Sequence, residues 1–263
     1  MGQMTQEEYY LQAAQRGDFT TVEAMVRQKE VDVDAKDELG VTALIRAAER
    51  GDKRMTEYLL GMGADVNHKA VTGETALLNA SENNHRDVIE VLLDRGANIN
   101  QADNHGKTPL MVAVLRNNLV LANRFLNEGA DKDQANVWGE TPLMRAVQNQ
   151  SKVITNALLE KGADVNKADH KGQTPMMLAV LNKDLSLVAS LNRSGADVNL
   201  ADKEGKTALM LAYERNDAKM VDLLVNVLEA KTKPVAQKVG GDLEKSPLYV
   251  MYKMLNPKER LKF

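Results

Sequence analysis

Six glycines, Gly40, Gly73, Gly106, Gly139, Gly172 and Gly205, stand 33 residues apart without a break. A fixed period of that length means one supersecondary unit stacked on copies of itself. Such a unit buries its apolar face only against its neighbours, so the expected body is an elongated solenoid whose ends need polar caps. A chain of 263 residues can then form one continuous structure without splitting into separate globules.

The unit from Gly139 to Lys171 shows the chemistry of each part. Gly139 suits a turn that requires positive φ, Thr141 is the expected N-cap, and Pro142 fits the first helical position, where a missing N–H costs nothing. Leu143, Ala146 and Val147 form an apolar stripe at helical spacing, predicting a short first helix that ends near Asn149 and Gln150. Sister units place Gly51, Asn84, Asn117 and Asn216 where this one has Gln150, residue types that accept a left-handed cap. Val153, Ile154, Ala157 and Leu158 predict the buried stripe of a second helix, which stops at Gly162.

Two motifs recur in phase with the glycines. TALI (42–45), TALL (75–78), TPLM (108–111 and 141–144), TPMM (174–177) and TALM (207–210) open the first helices. GADVN (63–67, 162–166 and 195–199), GANIN (96–100) and GADKD (129–133) close the second ones. On these motifs the chain resembles the ankyrin-repeat family, and the resemblance implies an all-α solenoid of helix-turn-helix units with β-turn fingers. The family's motif histidine is replaced here by Ile45, Leu78, Met111, Met144, Met177 and Met210, so this wall is expected to rely on flexible apolar packing.

Residues 5–39 read as a degenerate N-terminal capping repeat, with a capping box expected between Thr5 and Glu8. Six repeats follow at 40–72, 73–105, 106–138, 139–171, 172–204 and 205–228. Residues 229–263 read as a linker and an amphipathic C-terminal helix carrying Leu248, Met251, Tyr252 and Leu255. This tail holds eight Lys and Arg against four Asp and Glu, and it either covers the last repeat or offers a basic arm to a partner.

Composition removes several function classes. With no cysteine there is no disulfide framework, thiolate nucleophile or cysteine metal site. His68, His85, His105 and His170 lie in different units without metal-ligand spacing, so no metal is expected. No nucleophile elbow, phosphate loop or dinucleotide fingerprint occurs, and the repeated Asp103, Asp169 and Asp202 share one turn position, which points to structural duty. No catalysis and no cofactor are expected. A net charge of −3 and a body without interleaved basic and aromatic residues speak against nucleic acid, and no apolar run is long enough for membrane insertion.

Surface remains as the working part. In the family, partners are held by the turn fingers and the exposed side of the first helices, which line a groove. Carried over, the fingers are Glu38-Leu39, Val71-Thr72, Asn104-His105, Val137-Trp138, His170-Lys171 and Lys203-Glu204, and the groove includes Arg46, Leu115, Arg116, Arg145, Gln148, Asn149 and Leu181. Trp138, the one tryptophan, stands at a fingertip where the scaffold needs no bulk; it is a binding anchor or a staple across the next finger. Leu115 and Leu181 stand where sister units have Glu49, Glu82, Gln148 and Glu214, suggesting apolar spots. Arg46, Arg116 and Arg145 are expected to ring Trp138 and Leu115 with donors for carboxylates.

The expected function is non-catalytic binding of a protein partner, in more concrete form an inhibitor covering an enzyme's cleft. The chain is similar to compact bacterial ankyrin proteins, among them periplasmic immunity factors that restrain the cell's own peptidoglycan-cutting peptidases. Two alternatives are a cytosolic adaptor joining two proteins, and an anion or cell-wall polymer binder acting through the basic tail. A monomer is expected; compartment is left open, the bacterial periplasm being preferred to the cytoplasm.

Overall fold

The computed structural model describes residues 4–226. The expected linker and C-terminal helix at 229–263 lie outside the described residues, as does the end of the last repeat.

Helices succeed one another in pairs. α1 (Gln6–Arg16) and α2 (Phe19–Arg27) come first, then α3 (Ala43–Arg50) with α4 (Lys53–Gly61), and α5 (Ala76–Glu82) with α6 (Arg86–Asp94). α7 (Pro109–Leu115) pairs with α8 (Leu119–Asn127), α9 (Pro142–Gln148) with α10 (Lys152–Glu160), and α11 (Pro175–Leu181) with α12 (Leu185–Arg193). α13 (Ala208–Glu214) is followed by helical residues 218–226.

Each first helix begins where its threonine dictates. Thr42, Thr75, Thr108, Thr141, Thr174 and Thr207 accept the N–H three residues on, satisfying a donor that the helix itself leaves unpaired. The helices end in left-handed residues: Gly51, then Asn84, Asn117, Gln150, Lys183 and Asn216, the non-glycines at φ between 51° and 58°. This reverses the chain within two or three residues, so the second helix packs back on the first. In the first pair, Thr5 and Glu8 form the expected capping box, with bonds of 2.8 and 3.1 Å.

Alanines at one register position, Ala47, Ala80, Ala113, Ala146, Ala179 and Ala212, are fully buried, which lets consecutive first helices approach closely. The inner row α3, α5, α7, α9, α11 and α13 packs helix on helix throughout, while contacts along the outer row are sparser. Successive units therefore fan open on the outer side, and the inner helices with their fingers form the hollow side.

The residues that stand in place of the family's histidine are mostly interior: Ile45, Leu78, Met111, Met144 and Met177 are buried. Met144 retains a trace of the polar role, its Sδ accepting the Thr141 N–H at 3.5 Å. One expectation fails. Val153 is not part of the buried stripe of α10 but 60% exposed, and Thr155 takes the interior place. Register decides this: the helix starts at Lys152, so Ile154, Thr155 and Leu158 face inward and Val153 turns outward.

Polar ladders join the units at their loops. Asn67, Asn100, Asp133 and Asn166 each accept the backbone N–H of the residue 31 positions on, at 2.7 to 2.8 Å. The last letter of the first four GADVN-type motifs therefore joins its own unit to the next.

Candidate protein-binding surface

Five of the six fingers are built on an acceptor at their base, the exception being the Val71-Thr72 finger, which has Ala70 there. Asp37, Asp103, Asn136, Asp169 and Asp202 each use one side-chain oxygen to bind two backbone N–H groups of their own turn, at 2.8 to 3.0 Å. Neighbouring fingers are then linked by one main-chain bond each. Val71, Asn104, Val137, His170 and Lys203 donate to the carbonyls of Leu39, Thr72, His105, Trp138 and Lys171, at 2.8 to 3.1 Å. The approach is close enough to demand glycine: at Gly139, with φ 79°, a Cβ would stand 2.6 Å from His170 Cδ2 and 2.8 Å from its backbone nitrogen.

This ladder holds Val137 and Trp138 outward. Trp138 remains 57% exposed although its ring lies parallel to that of His105, centroids 6.0 Å apart. Anchor and staple are thus compatible in one residue: the stack limits the indole's rotamers and leaves most of its surface bare. His170 is also exposed, and the Lys171 backbone N–H is held by Asp169. The Asn104 amide is spent on the Val71 carbonyl at 2.7 Å, so it stiffens the finger row.

On the inner wall, the arginines expected to offer open donors differ from one another. Arg46 is engaged by Asp37 at 3.3 Å and Glu49 at 3.2 Å. Arg145 is engaged by Glu140 at 3.3 Å and by Gln148 at 2.8 Å, and Gln148 in turn donates to Glu140 at 3.0 Å. Burial pushes the Glu140 carboxyl upward, but Asn136, Gln148 and Arg145 outweigh it and hold the group below the ordinary glutamate range. Asn149 is occupied as well, donating to the Val114 carbonyl of the preceding inner helix at 3.4 Å. Arg116 is exposed and makes no side-chain hydrogen bond or ion pair among the described residues.

Leu115 is 38% exposed, an apolar spot on the wall. Leu181 is partly buried against the core, so the two leucines are not equivalent.

Sequence reasoning missed Lys107, which bridges Glu82 of the preceding unit and Asp103 at the base of its own finger. Burial pulls this ammonium down, yet the two carboxylates prevail and raise it above the usual lysine range. The signal was present as a lysine one residue past Gly106 and a glutamate, Glu82, nine past the preceding Gly73; in the last unit Lys206 pairs instead with Glu214 of its own unit, at 3.0 Å.

The histidines are dispersed as expected. His68 contacts the Gly40 carbonyl at 2.8 Å and His85 the Glu49 carbonyl at 2.9 Å, so both brace turns. Among the described residues, no group of three or more His, Asp or Glu converges as a metal would require, and no helix is long and apolar enough to cross a membrane.

The family model described as "Ankyrin repeats (3 copies)" matches residues 10–103, 63–136, 100–169 and 176–250. The chain belongs to the ankyrin-repeat family. Among solved structures, it is similar to the ankyrin repeat domain of human ASB11, at 26% identity and a TM-score of 0.67 over 83% of this chain and 96% of that one. No curated protein sequence matches it. Ankyrin repeats are protein-binding modules, generally without catalysis, and the finger row and inner wall are the candidate binding parts of this ankyrin repeat protein.

Proposed function

We propose that this ankyrin repeat protein sequesters or inhibits a partner enzyme by laying its hollow side over the partner's cleft. The observation that carries this is the Val137-Trp138 tip: a large, mostly bare indole, pre-positioned by the finger ladder above an inner wall that includes the exposed Leu115. Holding an aromatic out in water disfavours solubility, and it is most useful where a partner covers it. Pre-organisation lowers the ordering cost of association, which suits a tight inhibitor more than a transient adaptor.

In concrete form, the partner is a peptidoglycan-cutting peptidase and the setting a bacterial periplasm. The support is the resemblance to compact bacterial ankyrin proteins, together with a chain that contains no cysteine to be oxidised there.

The test is an inhibition assay. Peptidoglycan-cutting peptidases of the native cell are assayed on cell-wall fragments with and without the full chain, and with the Trp138→Ala chain. Stoichiometric inhibition that the Trp138→Ala chain fails to reproduce supports the reading. Capture of the chain only by proteins whose activity it leaves unchanged would favour the adaptor.

A further inference from the structure

We propose that Arg116 reads an acidic side chain of the partner, so that the segment seated in the groove carries a carboxylate at one end and an apolar side chain at the other. This rests on the reading of the hollow side as the binding face and adds the chemistry of what binds there.

The argument is a comparison of one repeat position with itself. Arg50, Asn149, Asn182 and Arg215 occupy the same position in other units, and each donates to a carbonyl at the end of the preceding inner helix, those of Gln15, Val114, Val147 and Leu181, at 2.9 to 3.4 Å. Asn83 turns back onto the Asn79 carbonyl at 2.9 Å. In all five the side chain is spent on the scaffold. Arg116 departs from the rule, its guanidinium standing in solvent without a partner among the described residues.

Charge balance along the wall sharpens the contrast. Arg46 is offset by Asp37 and Glu49, Lys107 by Glu82 and Asp103, Arg145 by Glu140, and Lys206 by Glu204 and Glu214. Arg116 has no such acid; Arg50 and Arg215 lack one as well, but each spends its guanidinium on a carbonyl and Arg116 does not. It borders a shallow depression lined otherwise by Ser81, Glu82, Asn83, Asn84 and Asn118, in which the single acid, Glu82, is already claimed by Lys107. An uncompensated cation beside neutral amides is complementary to an anion, and the planar fork of a guanidinium fits a carboxylate. A cation at the end of α7 also suits the helix dipole, but a lysine would serve that equally.

The neighbouring Leu115 makes the anion part of a peptide rather than a free ion. Arg116 caps the C-terminal end of α7, while the Trp138 and His105 rim stands beyond the N-terminal ends of the inner helices. The seven residues of α7 alone cover about 10 Å of that separation, and Gly106, Lys107 and Thr108 add to it. An extended segment therefore needs more than about three residues to span it and a helical one more than about two turns.

The test uses a random peptide library displayed on phage and selected on the immobilised full chain. Wild type is expected to enrich peptides with Asp or Glu at a fixed separation from Trp, Phe or Leu. Arg116→Glu should lose that acid or exchange it for Lys or Arg, and Arg116→Lys should keep it. A synthetic peptide of the selected sequence should bind Arg116→Ala about tenfold more weakly, the size of one charge-assisted hydrogen bond, with the gap closing as salt is raised. Thermal melts of Arg116→Lys and Arg116→Ala are expected to stay close to the wild type, since the side chain is exposed, and that of Arg116→Glu to fall slightly, because an anion at the C-terminal end of α7 opposes the helix dipole. Acid enrichment that survives Arg116→Glu overturns the proposal. Purely apolar peptides whose capture requires Trp138 also overturn it and leave the groove reading standing, whereas peptides indifferent to both residues sink the two together. Failure to enrich any peptide overturns the claim that a short acidic and apolar segment is what the groove accepts.

Discussion

Trp138 lies parallel to His105, its ring plane within 5° and its centroid 6.0 Å away, beside the Val137 to His105 hydrogen bond that joins the same two fingers. The contact is lateral, so it orients the indole without burying it. Removing the ring should therefore affect binding more than folding. Trp138→Ala is expected to lower stability by less than about 1 kcal/mol, and to weaken partner affinity by about 2 kcal/mol or more. Chemical denaturation and calorimetric titration with the partner measure the two. The reverse pattern, a large stability loss with intact affinity, would leave the residue only a staple.

Leu143 and Val153 belong to the same repeat and should respond oppositely. Leu143 is fully buried between inner helices, and Leu143→Ala leaves a hole worth about 2–5 kcal/mol. Val153, solvent-facing on α10, should tolerate alanine within about 0.5 kcal/mol. Urea midpoints at unchanged slope decide the matter, and equal losses at both sites would contradict the register described for α10.

The scaffold was legible because it is written six times over. Thr141 as N-cap, Gln150 as a left-handed residue and Gly162 as a terminator follow from local chemistry, and periodicity placed the units without any appeal to distant contacts. Val153 was misread because periodicity fixes a stripe only to within one residue until the helix start is known. The site was less legible for a different reason. Arg46, Arg116 and Arg145 look alike in the chain, yet Arg46 and Arg145 are tied to carboxylates and Arg116 is not. What separates them is repeat position: Arg46 and Arg145 stand six residues past their glycines, within reach of Glu49 and of Glu140 and Gln148 in their own units, whereas Arg116 stands ten past Gly106 at the end of its helix.

Glu140 anchors a cluster of Asn136, Arg145 and Gln148, and its side chain is only 16% exposed. Its carboxyl is held below the ordinary range on folding, so the charged form stabilises the native state at every pH above the unfolded value of about 4.3. That contribution disappears as pH falls through the lower, folded value. Glu140→Gln should accordingly cost about 1 kcal/mol at neutral pH, a figure discounted for partial exposure, and converge on wild type in acid. Stability curves of both chains from neutral to acid pH test this. A gap that stays constant would mean that shape rather than charge holds the cluster.

Tyr10 extends the linkage argument to alkaline pH. Its ring is fully buried in α1, its hydroxyl donates to the Val33 carbonyl at 3.0 Å, and burial, with Asp34 and Asp32 nearby, raises its ionisation well above the ordinary tyrosine value. Since the folded state keeps the proton longer, this stabilisation is complete below the unfolded value of about 10 and declines as pH rises beyond it. Tyr10→Phe removes the hydrogen bond at a cost of about 1 kcal/mol at neutral pH, and it also removes the group whose ionisation favours unfolding. Tyr213, also raised chiefly by burial, is present in both chains and cancels in the comparison, as does Tyr58 apart from its repulsion of the Tyr10 phenolate, which acts in the same direction as burial. The difference in urea midpoint between wild type and variant should therefore shrink, and then change sign, as pH is taken above about 10. A difference that widened with pH would show that the first helix is held by something other than this neutral phenol.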